Sequence, residues 1–329
     1  MAGNPWLRAQ RGLATIAGLL GLTLCVHAQE PANSCLLTSV ARLPLNESAG
    51  WFTTTVSINE HPVTMLIDTG SAGSAISPEL AAQLHLPQDR RRKFGVYGIG
   101  GEIKAAHPLI AHSFGLGGGR WENYELTTVN FAPAIKGKPG SPEGLLGIDL
   151  LSQFELEFDF PNRVLTLYTS KNCSGNFVPW AGKFDAIQGK RQLSGQLFIP
   201  VTLNRTSGNL NRVAINAAID TGSSRTSIGI DTAHDVGVRE EELRSDRAAS
   251  SFGVSGVPVR AYEHHFDSFT VGQTTYHGAP VFIDDERFGV TQMLLGMDLL
   301  RRHKVWMSFG TEQIFLQSAP MAQQQPTLP

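Results

Sequence analysis

The tripeptide Asp-Thr-Gly occurs twice in this chain, as Asp68-Thr69-Gly70 and Asp220-Thr221-Gly222, and each copy closes an apolar run. Met65-Leu66-Ile67 leads into the first and Ala217-Ala218-Ile219 into the second; Ser71 and Ser223 follow them. A single copy needs no more than a strand ending in a turn, because Asp and Gly are turn residues. Two copies, 152 residues apart (220 − 68) in matching surroundings, point to a duplicated unit that brings two carboxylates together.

The match extends well beyond the tripeptide. VSINEHPVTMLIDTGSAGSAIS (56–77) parallels VTLNRTSGNLNRVAINAAIDTGSSRTSIG (201–229), and VYGIGGEIKAA (96–106) parallels SFGVSGVPVRA (251–261). HSFGLGG (112–118) then parallels DSFTVGQ (267–273), and GLLGIDLLSQFELEF (144–158) parallels MLLGMDLLRRHKVWMSF (293–309). Each repeat ends in a hairpin signal, FDFPNRVLTLY (158–168) and MSFGTEQIFLQ (307–317). The landmarks keep one order and their offset drifts only from 152 to 155 to 149, which chance similarity of short motifs does not produce. Two homologous lobes of about 120 residues each follow.

Each half reads as short strands joined by Gly-rich turns with one or two short helices, in a chain with 34 Gly and 18 Pro. This predicts a mainly β protein of two lobes related by a pseudo-two-fold axis, with a site in the cleft between them. Ser77-Pro78-Glu79 is an N-cap, a proline at the first helical position and an acidic first turn. Asp231 is the matching cap in the second half, and Asp149 and Asp298 are expected to cap the helices after the two Leu-Leu-Gly segments. The expected organisation is a leader at 1–28, an N-terminal segment at 29–49, a first lobe at 50–170 and a linker at 171–194. A second lobe at 195–318 and a disordered tail at 319–329 complete it.

With 41% hydrophobic and 17% charged residues the chain has enough apolar surface to fold, and a formal charge of −2 gives no sign of a nucleic-acid-binding surface. Arg8 and Arg11, the apolar stretch Leu13–Val26 and the Val26-His27-Ala28 ending have the form of a secretory signal. That stretch falls short of the roughly 20 residues that span a bilayer. The mature protein is therefore expected to be exported, periplasmic or secreted, without a membrane contact after cleavage. Cleavage would remove Cys25 and leave Cys35 and Cys173 as one possible disulfide pair, two free thiols being the alternative. His264-His265 and His277 have no partners at ligand spacing, and Arg90-Arg91-Arg92-Lys93 reads as a solvated loop, so no metal or cofactor is expected.

Two carboxyl groups in contact cannot both ionise freely, and they hold one proton between them. The ionised member can take a proton from water as the water attacks a peptide carbonyl, while the protonated member donates to the carbonyl oxygen. Gly70 and Gly222 let the backbone turn tightly beside the carboxylates. Thr69 and Thr221 can hydrogen-bond across the axis, and Ser71 and Ser223 can donate to the outer carboxylate oxygens. Such donation lowers a carboxyl pKa, which predicts activity on the acid side of neutral. The Leu-Leu-Gly segments are expected as strands beneath the Asp loops, with Gly147 and Gly296 permitting close approach.

In these residues the chain resembles the aspartic proteases of the retropepsin and pepsin clan. IDTGS, the glycine-rich YGIGGEIKA and the later LLGIDLLSQ stand in the order of the retropepsin loop, flap and closing helix, and the resemblance covers both repeats. It implies that Asp68 and Asp220 are the catalytic pair. It also implies a flap at Tyr97, Gly98, Ile99 and Gly100, with its counterpart at Phe252, Gly253 and Val254. Retropepsins carry one Asp-Thr-Gly and work as homodimers, whereas this chain carries two, as pepsin does, so a monomer could complete the site. It departs from pepsins in its short lobes and in lacking a long basic pro-segment, and Ser255 and Pro258 replace Gly100 and Ile103 in the second flap. The implied function is an exported endopeptidase acting on a peptide or protein substrate. The alternative is a catalytically inactive peptide-binding or inhibitor protein on the same scaffold.

Overall fold

Both Asp-Thr-Gly loops emerge from strands that are apolar on every side. In the computed structural model, which describes residues 34–48, 50–98, 101–131, 140–205, 212–253 and 257–318, these strands lie at the centre of two barrel-like β lobes. After β1 (Leu36–Pro44) and β2 (Asn46–Ser48), the first lobe runs β3 (Trp51–Ile58), β4 (His61–Ile67), β5 (Ala75–Ile76), α1 (Pro78–Gln83), β6 (Phe94–Gly98) and β7 (Gly101–Ala106). It continues through β8 (Leu109–Leu116), β9 (Gly119–Thr128), β10 (Gly144–Leu146), α2 (Ile148–Leu151), β11 (Glu155–Asp159) and β12 (Val164–Lys171). Then follow β13 (Asp185–Gln188), β14 (Lys190–Arg191), β15 (Leu197–Asn204), β16 (Arg212–Ile219), β17 (Ser227–Gly229), α3 (Ile230–Asp235) and α4 (Glu240–Ser245). The second lobe closes with β18 (Arg247–Phe252), β19 (Pro258–His265), β20 (Ser268–Val271), β21 (Thr274–His277), β22 (Pro280–Asp284), β23 (Met293–Leu295), α5 (Met297–Leu300), β24 (His303–Ser308) and β25 (Gln313–Ser318).

The first-lobe sheet has the order β2-β3-β4-β10-β5-β9-β8, and a β3–β8 pairing curls it back on itself. Strand β10 lies between β4, to which it is parallel, and β5, to which it is antiparallel; β23 lies in the same way between β16 and β17. Strands covered on both faces read as continuous apolar runs, which is why Met65-Leu66-Ile67 and Leu145-Leu146 show no alternation. Ile67, Leu146, Ile219 and Leu295 are all within 1% of complete burial and belong to one continuous core shared by both lobes. Burying each such side chain contributes roughly 1.5–3 kcal/mol.

A third sheet joins the lobes. Its order, β1-β12-β11-β24-β25-β13, places two strands on either side of the antiparallel β11–β24 pair, in which Glu157 faces Trp306 and Phe158 faces Val305. β13 thus stands to the second repeat as β1 does to the first. The stretch read as a linker therefore contributes β13 to this sheet and β14 to the second lobe. Buried Glu155 accepts from Trp306 Nε1 at 2.9 Å and Ser308 Oγ at 3.0 Å, stitching the two halves beneath the site.

Local signals mostly act as read. Ser77 caps α1, its Oγ accepting the Leu80 N–H at 3.1 Å, with Pro78 opening the helix. The two-residue β3–β4 turn has Asn59 and Glu60 at φ 48° and 68°, the twist a tight hairpin needs. Asp231 is a correction. Gly229 caps α3, where a Cβ would lie 2.6 Å from Asp231 Oδ1 and 2.7 Å from Phe288 N, so the cap has no room for a side chain. Asp231 lies in the first turn instead and accepts the N–H groups of Phe288 and Gly289 at 3.3 and 3.2 Å. Residues 1–33 and 319–329 lie outside the described part, and with them the leader and the tail. Among the described residues no helix is long and apolar enough to cross a membrane.

Cys35 and Cys173 form a disulfide, closing a separation of 138 residues and tying the start of β1 to the end of β12. Replacing both by Ser should destabilise the protein by about 2–4 kcal/mol, because so long a loop strongly restricts the unfolded chain. The midpoint of urea unfolding, compared with that of the parent, measures the effect.

Candidate active site

Each Asp sits at the end of a central strand and is anchored there by its backbone. The Asp68 N–H donates to Leu146 O and the Asp220 N–H to Leu295 O, both at 3.0 Å. The following threonines cross the pseudo-axis. Thr69 Oγ1 donates to Ile219 O at 2.7 Å and accepts the Thr221 N–H at 3.1 Å. Thr221 Oγ1 donates to Ile67 O at 2.8 Å and accepts the Thr69 N–H at 3.0 Å. Both threonines are buried, so this closed set of four bonds locks the two loops face to face.

The glycines make that approach possible. A Cβ at Gly70 would lie 2.4 Å from Asp220 Cγ, and one at Gly222 would lie 2.3 Å from Asp68 Cγ. Any side chain at either position would occupy the space of the opposite carboxyl group. The Gly70 N–H donates to Asp68 Oδ1 at 3.0 Å, and the Gly222 and Ser223 N–H groups donate to Asp220 Oδ1 at 2.8 and 3.0 Å.

Two expectations about the loops are corrected. The Ser71 and Ser223 hydroxyls do not reach the carboxylates. Ser71 Oγ donates to Gly73 O at 2.8 Å and Ser223 Oγ to Arg225 O at 2.7 Å, which uses the single proton each hydroxyl has to give. Nor are Asp149 and Asp298 N-caps, since Gly147 and Gly296 hold those positions. A Cβ at Gly147 would lie 2.6 Å from the Gly73 carbonyl carbon, and one at Gly296 2.2 Å from Arg225 O, so the caps must be glycine. The carboxylates reach sideways instead. Asp149 accepts from Ser74 Oγ at 2.8 Å and Tyr124 OH at 2.6 Å; Asp298 accepts from Thr226 Oγ1 at 2.7 Å and its N–H at 3.0 Å.

The direction of the pKa shifts is a third correction. Burial raises the Asp68 carboxyl well above the ordinary range, the Asp220 charge adds to this, and the Gly70 and Ser71 N–H groups oppose it without prevailing. Burial also raises Asp220, against donation from Gly222 and Ser223. A hydrogen bond between the carboxyls couples them, so the raised titration belongs to the pair and one proton is shared between them. Desolvation outweighs the donors because the pair sits in the seam between two cores.

Several residues at the site carry no sequence signature. Trp51 Nε1 donates to Gly222 O at 2.8 Å, and Gln196 Nε2 donates to Gly70 O, so each lobe holds the other's glycine carbonyl. Trp and Gln share no residue type, and the repeat alignment alone does not reveal them. Ser74 and Thr226 could have been found, since both are hydroxyl residues six positions after the Asp.

The first flap is the hairpin β6–β7, with Tyr97 opposite Glu102 and Gly98 opposite Gly101. Among the described residues it pairs only with itself. The second, β18–β19, places Phe252 opposite Pro258 and is tied through β19 to β22. Ser251 Oγ also donates to buried Asp284. Phe252 is exposed and Gly253 half-buried; Ile99, Gly100 and Val254 lie outside the described residues. No described group of three or more His, Cys, Asp or Glu is placed to hold a metal ion.

Two measurements test this geometry. Thr221→Val keeps the volume but leaves Ile67 O and the Thr69 N–H without partners, and should cost about 2–4 kcal/mol in urea unfolding. Asp68→Asn should act in the opposite sense. Both carboxyls titrate above their unfolded value of about 3.9. Their contribution to stability is thus full below that value and is lost as pH rises through the raised folded values. The variant should melt at or above the parent's temperature at neutral pH, and that advantage should vanish in strong acid, as read by calorimetry.

Sequence comparison agrees with the geometry. A family described as "Aspartyl protease" matches residues 54–150, and one described as "gag-polyprotein putative aspartyl protease" matches residues 206–302. No curated protein matches the chain. The two matched segments each contain one Asp-Thr-Gly loop and one Leu-Leu-Gly strand, and the chain is a tandem repeat of retropepsin-like aspartyl-protease domains.

Proposed function

We propose that this chain is an exported aspartic endopeptidase in which Asp68 and Asp220 activate water between them. The observation that carries the reading is the crossed set of Thr69 and Thr221 hydrogen bonds, which holds two carboxyl groups in contact inside one chain. A scaffold kept only for binding would not need two carboxyls buried together at a cost in stability.

The carboxyl that carries the shared proton donates to the carbonyl oxygen of the peptide bond, and the ionised one takes a proton from the attacking water. The resulting tetrahedral intermediate collapses as the second carboxyl passes its proton to the leaving nitrogen and the first takes a proton back from a hydroxyl of the intermediate, which restores the pair with one proton. The backbone N–H groups of Gly70, Gly222 and Ser223 fix both carboxyls so that little reorganisation is needed during the reaction. The two flaps close over the substrate, the first more freely than the second. One chain supplies both carboxyls, so the monomer is the working unit. The disulfide supports an oxidising compartment, periplasmic or extracellular, which agrees with the signal-like N-terminus.

The test is digestion of a mixed peptide library by the chain from Gln29 onward, read by mass spectrometry. Asp68→Asn and Asp220→Asn should each lower cleavage by at least about 10³-fold, because neither remaining carboxyl can serve as both acid and base. Intact peptides with the folded parent at every pH would refute the reading. Because both carboxyls are raised, the singly protonated pair persists to higher pH than in ordinary carboxylates. The kcat/KM profile should therefore already be falling before pH drops to the ordinary Asp range near about 4, because the second carboxyl takes up its proton at a raised value. A rate still rising at that pH would contradict the burial argument.

A further inference from the structure

The two Asp loops are identical through the third residue after the Asp, carry small residues at the fourth (Ala72 and Ser224) and part in size and charge at the fifth. Gly73 holds that place in the first lobe and Arg225 in the second (225 − 73 = 152, the spacing of the Asp pair). The backbones there are pinned alike, by the Ser71 and Ser223 hydroxyls on their carbonyls and by Gly147 and Gly296 packed against them. The adjoining strands also correspond, since the Thr127 N–H donates to Ser74 O at 3.0 Å and the Phe282 N–H to Thr226 O at 2.9 Å. One position of the repeat is thus built from Gly73 and Thr127 in the first lobe and from Arg225 and Phe282 in the second. A Cβ at Gly73 would meet nothing within 4 Å. At Arg225 a guanidinium lies over the Phe282 ring, 4.4 Å from its centroid.

Arg225 and Phe282 form one wall of a cleft of about 360 Å³. Glu263 stands beside Phe282 and Arg247 beside Glu263 on adjacent strands of the same sheet, and Ala249 and Ser250 of the flap strand β18 complete the lining. Glu263 is engaged by Arg247 at 3.1 Å. Asp284, whose carboxyl senses the Arg225 charge, is 1% exposed and takes the Ser251 hydroxyl. Among the described residues no carboxylate forms an ion pair with Arg225. Its guanidinium is half-buried, oriented by an aromatic face, and set on a backbone that cannot move far. Such a guanidinium is suited to bidentate capture of a carboxylate. Five residues of chain separate Arg225 from Asp220 and span at most roughly 17 Å. Arg225 therefore lies within the reach of about five extended residues of a peptide bound at the dyad.

We propose that Arg225 makes the second-lobe side of the cleft selective for a substrate with a Glu or Asp side chain at one position, while the Gly73 side takes no such charge. The proposal rests on the reading of the chain as an endopeptidase and adds a directional preference to it.

The experiment uses decapeptides with a central Leu-Phe pair and Glu, Gln or Lys placed singly at each flanking position. Cleavage by the parent should favour Glu over Gln by at least about tenfold at one position on one side only. Arg225→Gly, which copies the first lobe, should abolish that preference, Arg225→Lys should keep part of it, and Arg225→Glu should transfer it to Lys. Cleavage of the Gln peptides should stay near the parent value, and thermal melting checks that each variant is folded. A parent without charge preference, or a preference unchanged in Arg225→Gly, overturns the proposal. The same peptides, fluorescein-labelled, are bound to Asp68→Asn with and without Arg225→Gly and followed by anisotropy. If the parent cleaves nothing, the endopeptidase reading fails, and this binding series alone decides the proposal. Tighter binding of the Glu peptide that depends on Arg225 upholds it, and equal binding refutes it.

Discussion

Everything at the centre of this molecule depends on two threonine hydroxyls. The carboxyls they flank are held together despite desolvation and like charge, and neither effect favours the contact. Each Thr hydroxyl gives its one proton to a carbonyl of the opposite lobe and accepts an N–H from the opposite threonine. The set is closed, with every donor used and nothing exchanged with solvent. Each such bond is worth only about 1 kcal/mol net, but an unmade one in this buried seam would cost more. The crossed bonds therefore act less as glue than as a condition: the lobes meet in this register, or four buried polar groups go without partners. The shared sheet of β11 and β24, with Glu155 bonded across it, holds the same register from below.

That framework was legible in the sequence because it is written twice. Asp-Thr-Gly after an apolar run, and Leu-Leu-Gly followed by Asp, recur at nearly constant offset. Strands buried on both faces allow few residue types, so the repeat survives there. Ser77 and Pro78 were equally readable, since a cap is a local matter of backbone geometry. Interactions set by the distance between parts remote in sequence were not readable. Gly147 and Gly296 were read as places of close approach, but nothing local showed that the approach would also exclude a capping side chain and send Asp149 and Asp298 sideways. The serine hydroxyls follow the same logic: a carbonyl two residues ahead lies within reach, and the carboxylate does not. The pKa direction failed for a different reason. Donors can be counted from a motif, whereas burial depends on the packing of the whole chain.

Symmetry is kept only where one side of the site cannot work without the other. The first flap pairs only with itself among the described residues, and the second is bonded into its lobe through β22. A helix, α4, and the buried Arg205–Glu242 pair beside it add to the second lobe. In a homodimer each substitution appears on both sides of the axis. In a single chain each half can change alone, which permits a hairpin bonded into its lobe opposite one that, among the described residues, pairs only with itself, and an arginine opposite a glycine.

The supports beneath the dyad show what such divergence may alter. Asp149 and Asp298 are equivalent carboxylates, each under its own Asp loop; Asp149 takes two donors and Asp298 three. One donor is common in kind, the hydroxyl of Ser74 or Thr226. The rest are not: Asp149 takes the phenol of Tyr124, and Asp298 takes the N–H groups of Thr226 and Leu299. Burial and the Asp149 charge raise the Tyr124 phenol, which keeps its proton in place to donate. The hydroxyl donor is kept, while the remaining donors differ in kind and in number. The hydroxyls of Ser74 and Thr226 also accept the N–H of Gly147 and Gly296, at 3.0 and 3.2 Å, so the same small network positions the strand end that props each Asp loop. The constraint that duplication has preserved here is the satisfaction of buried polar groups. Residue identity is one of several ways to meet it, since the buried Ser74 and Thr226 hydroxyls each donate to a carboxylate and accept a glycine N–H.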